Sequence, residues 1–127
     1  EGFFSRGDCW DWIRRGAVQV IMPDAKHAGG ITECRRIAQL AEVAHVGFSP
    51  HNPAGPVSTM AAVHLSASVA NFWVLEFAFG EVDWRESLTV PNEWVDNGCI
   101  QVPDRPGLGI ELNRSLLNSL SARPLGG

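Results

Sequence analysis

The strongest constraint on the fold of this chain is the recurrence of short apolar runs at intervals of one strand plus one helix. They occupy residues 17–22, 46–49 and 72–77. The first is closed by Pro23 and the second by Pro50. Nearly continuous apolar runs of this length suit parallel strands buried on both faces. Between the first two, Ile31, Cys34, Ile37, Ala38, Ala41 and Ala44 form one stripe, with Glu33, Arg36, Gln39 and Glu42 away from it. That pattern predicts an amphipathic helix, opened by the Gly29-Gly30 pair. Residues 57–67 are rich in Ala, Met, His and Leu and predict a second helix. A short helix at 8–15 precedes the first run, with Asp8 as N-cap, Trp10 and Ile13 as its apolar pair and Gly16 as its stop. Helices alternating with strands imply βα units, a parallel sheet and right-handed crossovers.

After Gly80 the pattern changes. Residues 82–97 mix Trp84, Trp94, Pro91 and charges without periodicity. A short strand is expected at 98–102, then a turn-rich stretch, then partial helix over 110–120. The expected organisation is α/β: a partial β/α barrel at 1–80 and a C-terminal segment at 81–127 that completes it.

At 127 residues the chain is one domain at most, and its net charge of −4 gives no electrostatic reason to bind nucleic acid or an anionic membrane. No apolar run has the length to cross a bilayer. Cys9, Cys34 and Cys99 are scattered and in no CxxC arrangement, which argues against a disulfide framework or zinc site and fits a reducing cytoplasm. None sits in a loop beside an obvious base. The chain opens at Glu1 without an initiator Met, as expected of a segment from a longer protein, and ends in a polar, Gly-rich tail at 123–127.

The strand ends carry the chemistry. The first run leads into Asp24, the second into His51, and the third contains Glu76, at separations of 27 and 25 residues. In parallel β/α folds the strand C-termini share one rim, where ligands bind. A carboxylate beside a His orients the imidazole and stabilises its protonated form. A second acid opposite could hydrogen-bond an oxyanion if protonated, or bind a metal if ionised. Each residue also has a plain structural use. Asp24 after a proline suits a turn, and a loop His is often merely exposed. Glu76 resists that reading, because a carboxylate within an apolar strand is costly without a partner. The three at one-unit spacing favour a site. His27 lies near the same rim, His45 and His64 read as surface or packing residues, and Trp73 reads as core. Trp84 and Trp94 would cover a barrel end or a subunit contact. There is no GxGxxG or Walker pattern to make Gly29-Gly30 a phosphate cradle.

Pro23-Asp24, His27-Ala28-Gly29-Gly30-Ile31-Thr32-Glu33, Pro50-His51-Asn52-Pro53, Gly55-Pro56, Leu75-Glu76 and the segment from Val102 to Asn113 together resemble the enolase superfamily. Within it they are most similar to the mandelate racemase/muconate lactonizing enzyme subgroup and to acid-sugar dehydratases of the galactonate dehydratase kind. The resemblance implies the C-terminal part of a modified (β/α)8 barrel, whose last segment returns toward an N-terminal capping domain. It implies His51 as the base that removes the proton α to a carboxylate, Asp24 as the acid that raises its basicity, and Glu76 as the residue that stabilises the enediolate. Glu1, 23 residues before Asp24, matches the third of three carboxylates that bind a catalytic Mg²⁺.

The first two metal carboxylates, the general-acid His and the capping domain of that family are not in this chain. The resemblance implies a sugar-acid substrate and a homo-oligomer for the longer protein, and little activity for this chain alone. A racemase or epimerase using His51 as one of two bases is the alternative within the family. A non-catalytic half-barrel with an assembly role is the alternative outside it, since three βα units leave a strand edge open.

Overall fold

The computed structural model describes residues 2–121, which leaves Glu1 and the 123–127 tail outside the described residues. Helix α1 spans Arg6–Ile13, β1 Val20–Ile21, α2 Gly30–Val43, β2 Gly47–Phe48 and α3 Pro56–Ala67. Strands β1 and β2 are parallel, with Val20 opposite Gly47 and Ile21 opposite Phe48. The expected order of helices and parallel strands is therefore present, with shorter strands.

The start of α1 differs from the expectation. Ser5, not Asp8, is the N-cap: its Oγ accepts from Asp8 N, while Asp8 Oδ2 accepts from Phe4 N at 3.1 Å. Asp8 thus reaches back to the backbone N–H of the residue before the cap, a variant of the capping box. The helix turns Cys9 and Ile13 inward and leaves Trp10 46% exposed. A four-residue spacing, not the Trp10/Ile13 spacing of three, faces α2. The expected stop is real: Gly16 N donates to Ile13 O and Ala17 N to Trp12 O, with Gly16 at φ 60°. That pair of bonds is the Schellman closure.

Helix α2 buries Cys34, Ile37, Ala38 and Ala41, the middle of its expected stripe. Ile31 and Ala44 at its two ends are exposed. The helix ends in the same closure, His45 N to Glu42 O and Val46 N to Ala41 O, with His45 at φ 58° in the position glycine normally takes. Arg6 Nε meets Glu33 Oε1 at 2.7 Å and ties α1 to α2. One core unites Cys9, Ile13, Ile21, Ala28, Cys34, Ile37, Ala38, Ala41, Val46, Phe48 and Leu65.

The third run is not a regular strand. It lies parallel to β2 through a single bridge, Phe48 opposite Phe72, with Phe48 N donating to Asn71 O and Trp73 N to Phe48 O. Beyond it the ladder is replaced by a side chain, Ser49 Oγ donating to Val74 O at 2.6 Å. The expectation of burial on both faces fails here, and Trp73, read as core, is 71% exposed. The run has β2 on one side and no described strand on the other, so its apolar side chains find too few neighbours.

The C-terminal segment is more ordered than its sequence suggests. A 3₁₀ turn at Arg85–Ser87 leads into β3 (Thr89–Val90), which pairs antiparallel with β6 (Glu111–Leu112). Strands β4 (Val95–Asp96) and β5 (Cys99–Ile100) form a hairpin around Asn97 and Gly98, both at positive φ. Asn-Gly is the strongest short hairpin signal, so this element is written in the sequence, although the expectation of a lone strand at 98–102 passed over it. The expected helix over 110–120 begins only at Arg114, as α4 (Arg114–Ser121), where Asn113 Oδ1 accepts from Leu116 N. Asn113 is its N-cap. Gly109, at φ 74°, would place a Cβ 2.3 Å from Pro103 Cγ, so only glycine fits.

Candidate active site

Pro23 and Pro50 end β1 and β2 and turn the chain so that Asp24 and His51 emerge side by side. Asp24 serves both readings of its sequence position. Its Oδ1 accepts from Lys26 N at 2.8 Å, the turn-forming bond of an Asp two residues back. Its Oδ2 faces His51 Nδ1 at 3.1 Å. A carboxylate can only accept, so Nδ1 carries the proton and Nε2 of a neutral His51 keeps its lone pair. Nε2 lies 3.9 Å from Glu76 Oε2. The three predicted residues thus meet around one imidazole, Asp24 on one nitrogen and Glu76 beside the other. Burial pushes the Asp24 carboxyl up, but hydrogen bonds from the Lys26 side chain and backbone and from His51 outweigh it and hold it below its ordinary value.

Sequence reasoning missed several members. Lys26 Nζ sits 2.7 Å from Asp24 Oδ2, the same oxygen that His51 uses, and Ser58 Oγ lies 3.4 Å from Nζ. His27 Nε2 is 3.9 Å from Asp24 Oδ2, at the rim where the sequence put it. Asn52, fully buried, donates its backbone N–H to Glu76 Oε2 at 2.9 Å. Behind it Thr59 contacts Arg85, which pairs with buried Glu93 and lies 4.8 Å over the Phe77 ring. Removing one partner of such a buried pair costs about 3–5 kcal/mol, because it leaves a charge without compensation. Asn52 follows His51 directly and Lys26 lies two residues after Asp24, and that closeness in sequence is the signal that could have found them. Arg85 and Glu93 carry no local signal.

The two buried thiols are not nucleophiles. Burial, with Asp8, pushes Cys9 up to about 11, and burial, with Asp24, pushes Cys34 up to about 12, so both stay protonated and pack as small apolar groups. His64 packs, its Nε2 3.2 Å from Leu108 O, and joins α3 to the C-terminal segment.

A family model, enolase C-terminal domain-like, matches residues 1–116. The chain belongs to this family. The D-xylonate dehydratase of Haloferax volcanii is 35% identical over 97 residues, 76% of this chain and 24% of that protein. The D-galactonate dehydratase of Xanthomonas campestris pv. campestris (strain B100) is 33% identical over 131 residues, 98% of this chain and 34% of that protein. A solved mandelate racemase/muconate lactonizing enzyme-like protein from Rubrobacter xylanophilus superposes with a TM-score of 0.87 at 35% identity, covering 100% of this chain and 32% of that one. The chain therefore spans between a quarter and about a third of these relatives. The resemblance to the mandelate racemase/muconate lactonizing enzyme subgroup and the α/β class expected from the sequence both hold.

Members of this family generally use Mg²⁺. Glu1, the metal ligand expected from the resemblance, lies outside the described residues. Among the described residues no group of three or more His, Cys, Asp and Glu side chains could hold a metal ion. Asp24 is engaged by Lys26 and His51, and Glu76 by Asn52. The described residues do not fit the ion by themselves.

Proposed function

We propose that this chain is the C-terminal portion of an acid-sugar dehydratase that removes the proton α to a substrate carboxylate and eliminates the 3-hydroxyl of an aldonate. The product is a 2-keto-3-deoxy acid. The observation that carries this reading is the placement of His51, with Asp24 on Nδ1 and Glu76 3.9 Å from Nε2. In this reading Nε2 takes the α-proton, and Asp24 stabilises the imidazolium that forms. Glu76, in its protonated form, donates to the developing enediolate oxygen. The names of the two dehydratase relatives favour elimination over racemisation.

The reading extends to a sugar acid as ligand, a homo-oligomeric longer protein and a cytoplasmic setting, in keeping with unpaired thiols. No helix among the described residues is long and apolar enough to cross a membrane. Glu1, with carboxylates from outside this chain, would hold Mg²⁺, which would supply charge neutralisation at the substrate carboxylate. Residues 1–80 would form the last βα units of the barrel, and 81–127 would complete it and pack on the capping domain.

The test is the full-length protein offered a panel of aldonates, with 2-keto-3-deoxy acid as readout. His51→Asn should abolish both product formation and exchange of the α-proton in D₂O. Exchange at the wild-type rate in that variant removes His51 as the base.

A further inference from the structure

Glu76 sits where the backbone ladder of its own segment has ended. Beyond the backbone bond from Trp73 N to Phe48 O, no strand pairing holds residues 74–79 among the described residues, and Ser49 Oγ to Val74 O is the last bond from the stretch that follows β2. From there Asn52 takes over. Its N–H donates to Glu76 Oε2 at 2.9 Å and its Nδ2 to Glu76 O at 3.2 Å, so one residue grips both the carboxylate and the main chain of the acid. We propose that Asn52 is the positioning residue for Glu76, and that Thr59, braced by Arg85 from the C-terminal segment, sets how Asn52 is turned. The proposal rests on the dehydratase reading for what Glu76 does, but not for how it is held.

Donor and acceptor counting makes the arrangement one-directional. Glu76 O is a carbonyl and can only accept, so the NH₂ end of the Asn52 amide must face it. The other hydrogen of that NH₂ goes to Thr59 Oγ1 at 3.0 Å. Arg85 Nη2, which can only donate, reaches the same oxygen at 3.1 Å, and the Thr59 hydroxyl is left to donate to Gly55 O at 3.4 Å. With its hydrogen on Gly55 O and one lone pair taken by Arg85, Thr59 meets Asn52 through its second lone pair, so both contacts of the amide, Glu76 O and Thr59 Oγ1, call for the NH₂ end. The cost is visible: Asn52 Oδ1 is buried with no hydrogen-bond partner among the described residues. An orphan acceptor is tolerated to keep both amide hydrogens on their targets. Arg85 is itself held by Glu93 and by Glu81 Oε2 at 3.6 Å, which makes the C-terminal segment part of the support of the site.

The comparison that tests this is Thr59→Val against Thr59→Ser, with Asn52→Asp beside them, in the full-length protein. Val keeps the shape of Thr59 and removes the acceptor; Ser keeps the acceptor. Asn52→Asp turns the donor that faces Glu76 O into an acceptor. We expect Thr59→Val and Asn52→Asp to lower kcat on the aldonate substrate on the order of 10- to 100-fold, with KM changed by less than about twofold, because a well-placed Glu76 matters most as charge develops on the substrate. Thr59→Ser should retain most of kcat. Equal losses in Thr59→Val and Thr59→Ser, or wild-type kcat in Thr59→Val and Asn52→Asp, overturn the proposal. Should the wild-type protein turn over no aldonate, the dehydratase reading falls, and amide exchange decides the positioning alone. The Asn52 N–H should be protected in wild type and Thr59→Ser and lose protection in Thr59→Val; equal protection in all three overturns the proposal. If Asn52→Asp does not fold, the Thr59 pair still decides it.

Discussion

His51 Nδ1 lies 3.1 Å from Asp24 Oδ2, an oxygen that Lys26 Nζ also approaches, at 2.7 Å. Asp24 is 6% exposed, so its charge is shared between two cationic or proton-bearing partners with little water between them. The pairing orients the imidazole, and the lysine keeps the carboxylate ionised. Asp24→Asn should therefore lower α-proton exchange by roughly 10²-fold or more in the full-length protein, as both the orientation of the ring and the stabilisation of the imidazolium disappear. The measurement is solvent deuterium incorporation under single-turnover conditions.

The same carboxyl makes stability depend on acid pH. Its folded value lies below the ordinary 3.8, so the folded state holds fewer protons there than the unfolded chain. The contribution is fully present above about 3.8 and is lost as pH falls through the lower folded value. Thermal melts from pH 6 down to about 2.5 should show the gap between wild type and Asp24→Asn closing only in the lowest part of that range. A gap that is the same at every pH contradicts this assignment.

His45 closes α2 at φ 58°, where a Cβ is strained and glycine is not. Its side chain is exposed, so the imidazole is dispensable. His45→Gly should raise stability by about 0.5–1 kcal/mol, net of the extra entropy glycine gives the unfolded chain. Urea melts of the full-length protein compare the two directly.

Gly109 has the opposite character. An added methyl would meet Pro103 Cγ at 2.3 Å and Cβ at 2.5 Å, on a backbone already at φ 74°. Gly109→Ala should destabilise by about 2–4 kcal/mol, from overpacking and a left-handed alanine together. The damage should show as early hydrogen exchange in β3 and β6, while the α1–α2 core exchanges later.

The open side of the third run gives a prediction for the chain in isolation. Trp73 and Val74 are 71% and 60% exposed, and on the side away from β2 the run has no partner strand among the described residues. Residues 1–127 expressed alone should self-associate or aggregate, by edge pairing and apolar contact. Sedimentation velocity across a tenfold concentration range would show it, and a concentration-independent monomer with a cooperative melt would overturn it.

Much of the site is legible in the sequence. Asp24, His51 and Glu76 stand one βα unit apart, and parallel strands deliver such residues to one rim whatever the details of packing. Local chemistry also announces the Gly16 stop and the α2 stripe, and the Asn97-Gly98 turn is equally local. Other features have no local signal at all. The pairing of Thr89 with Leu112 joins residues far apart in the chain, and neither stretch has alternation strong enough to declare a strand. The apolar run at 72–77 looks buried in sequence, because composition cannot say whether a neighbour exists on each side.

By itself, then, the sequence determined the alternation of helices and parallel runs, and with it the meeting of Asp24, His51 and Glu76. These follow from periodicity and from residues at strand ends, which act over a few positions at a time. Only the tertiary structure decided how Glu76 is gripped, since Asn52, Thr59, Arg85 and Glu93 come together from the loop after β2, helix α3 and the C-terminal segment. A buried donor is satisfied by whatever acceptor the packing brings within reach, and that depends on three-dimensional neighbours that no local pattern encodes.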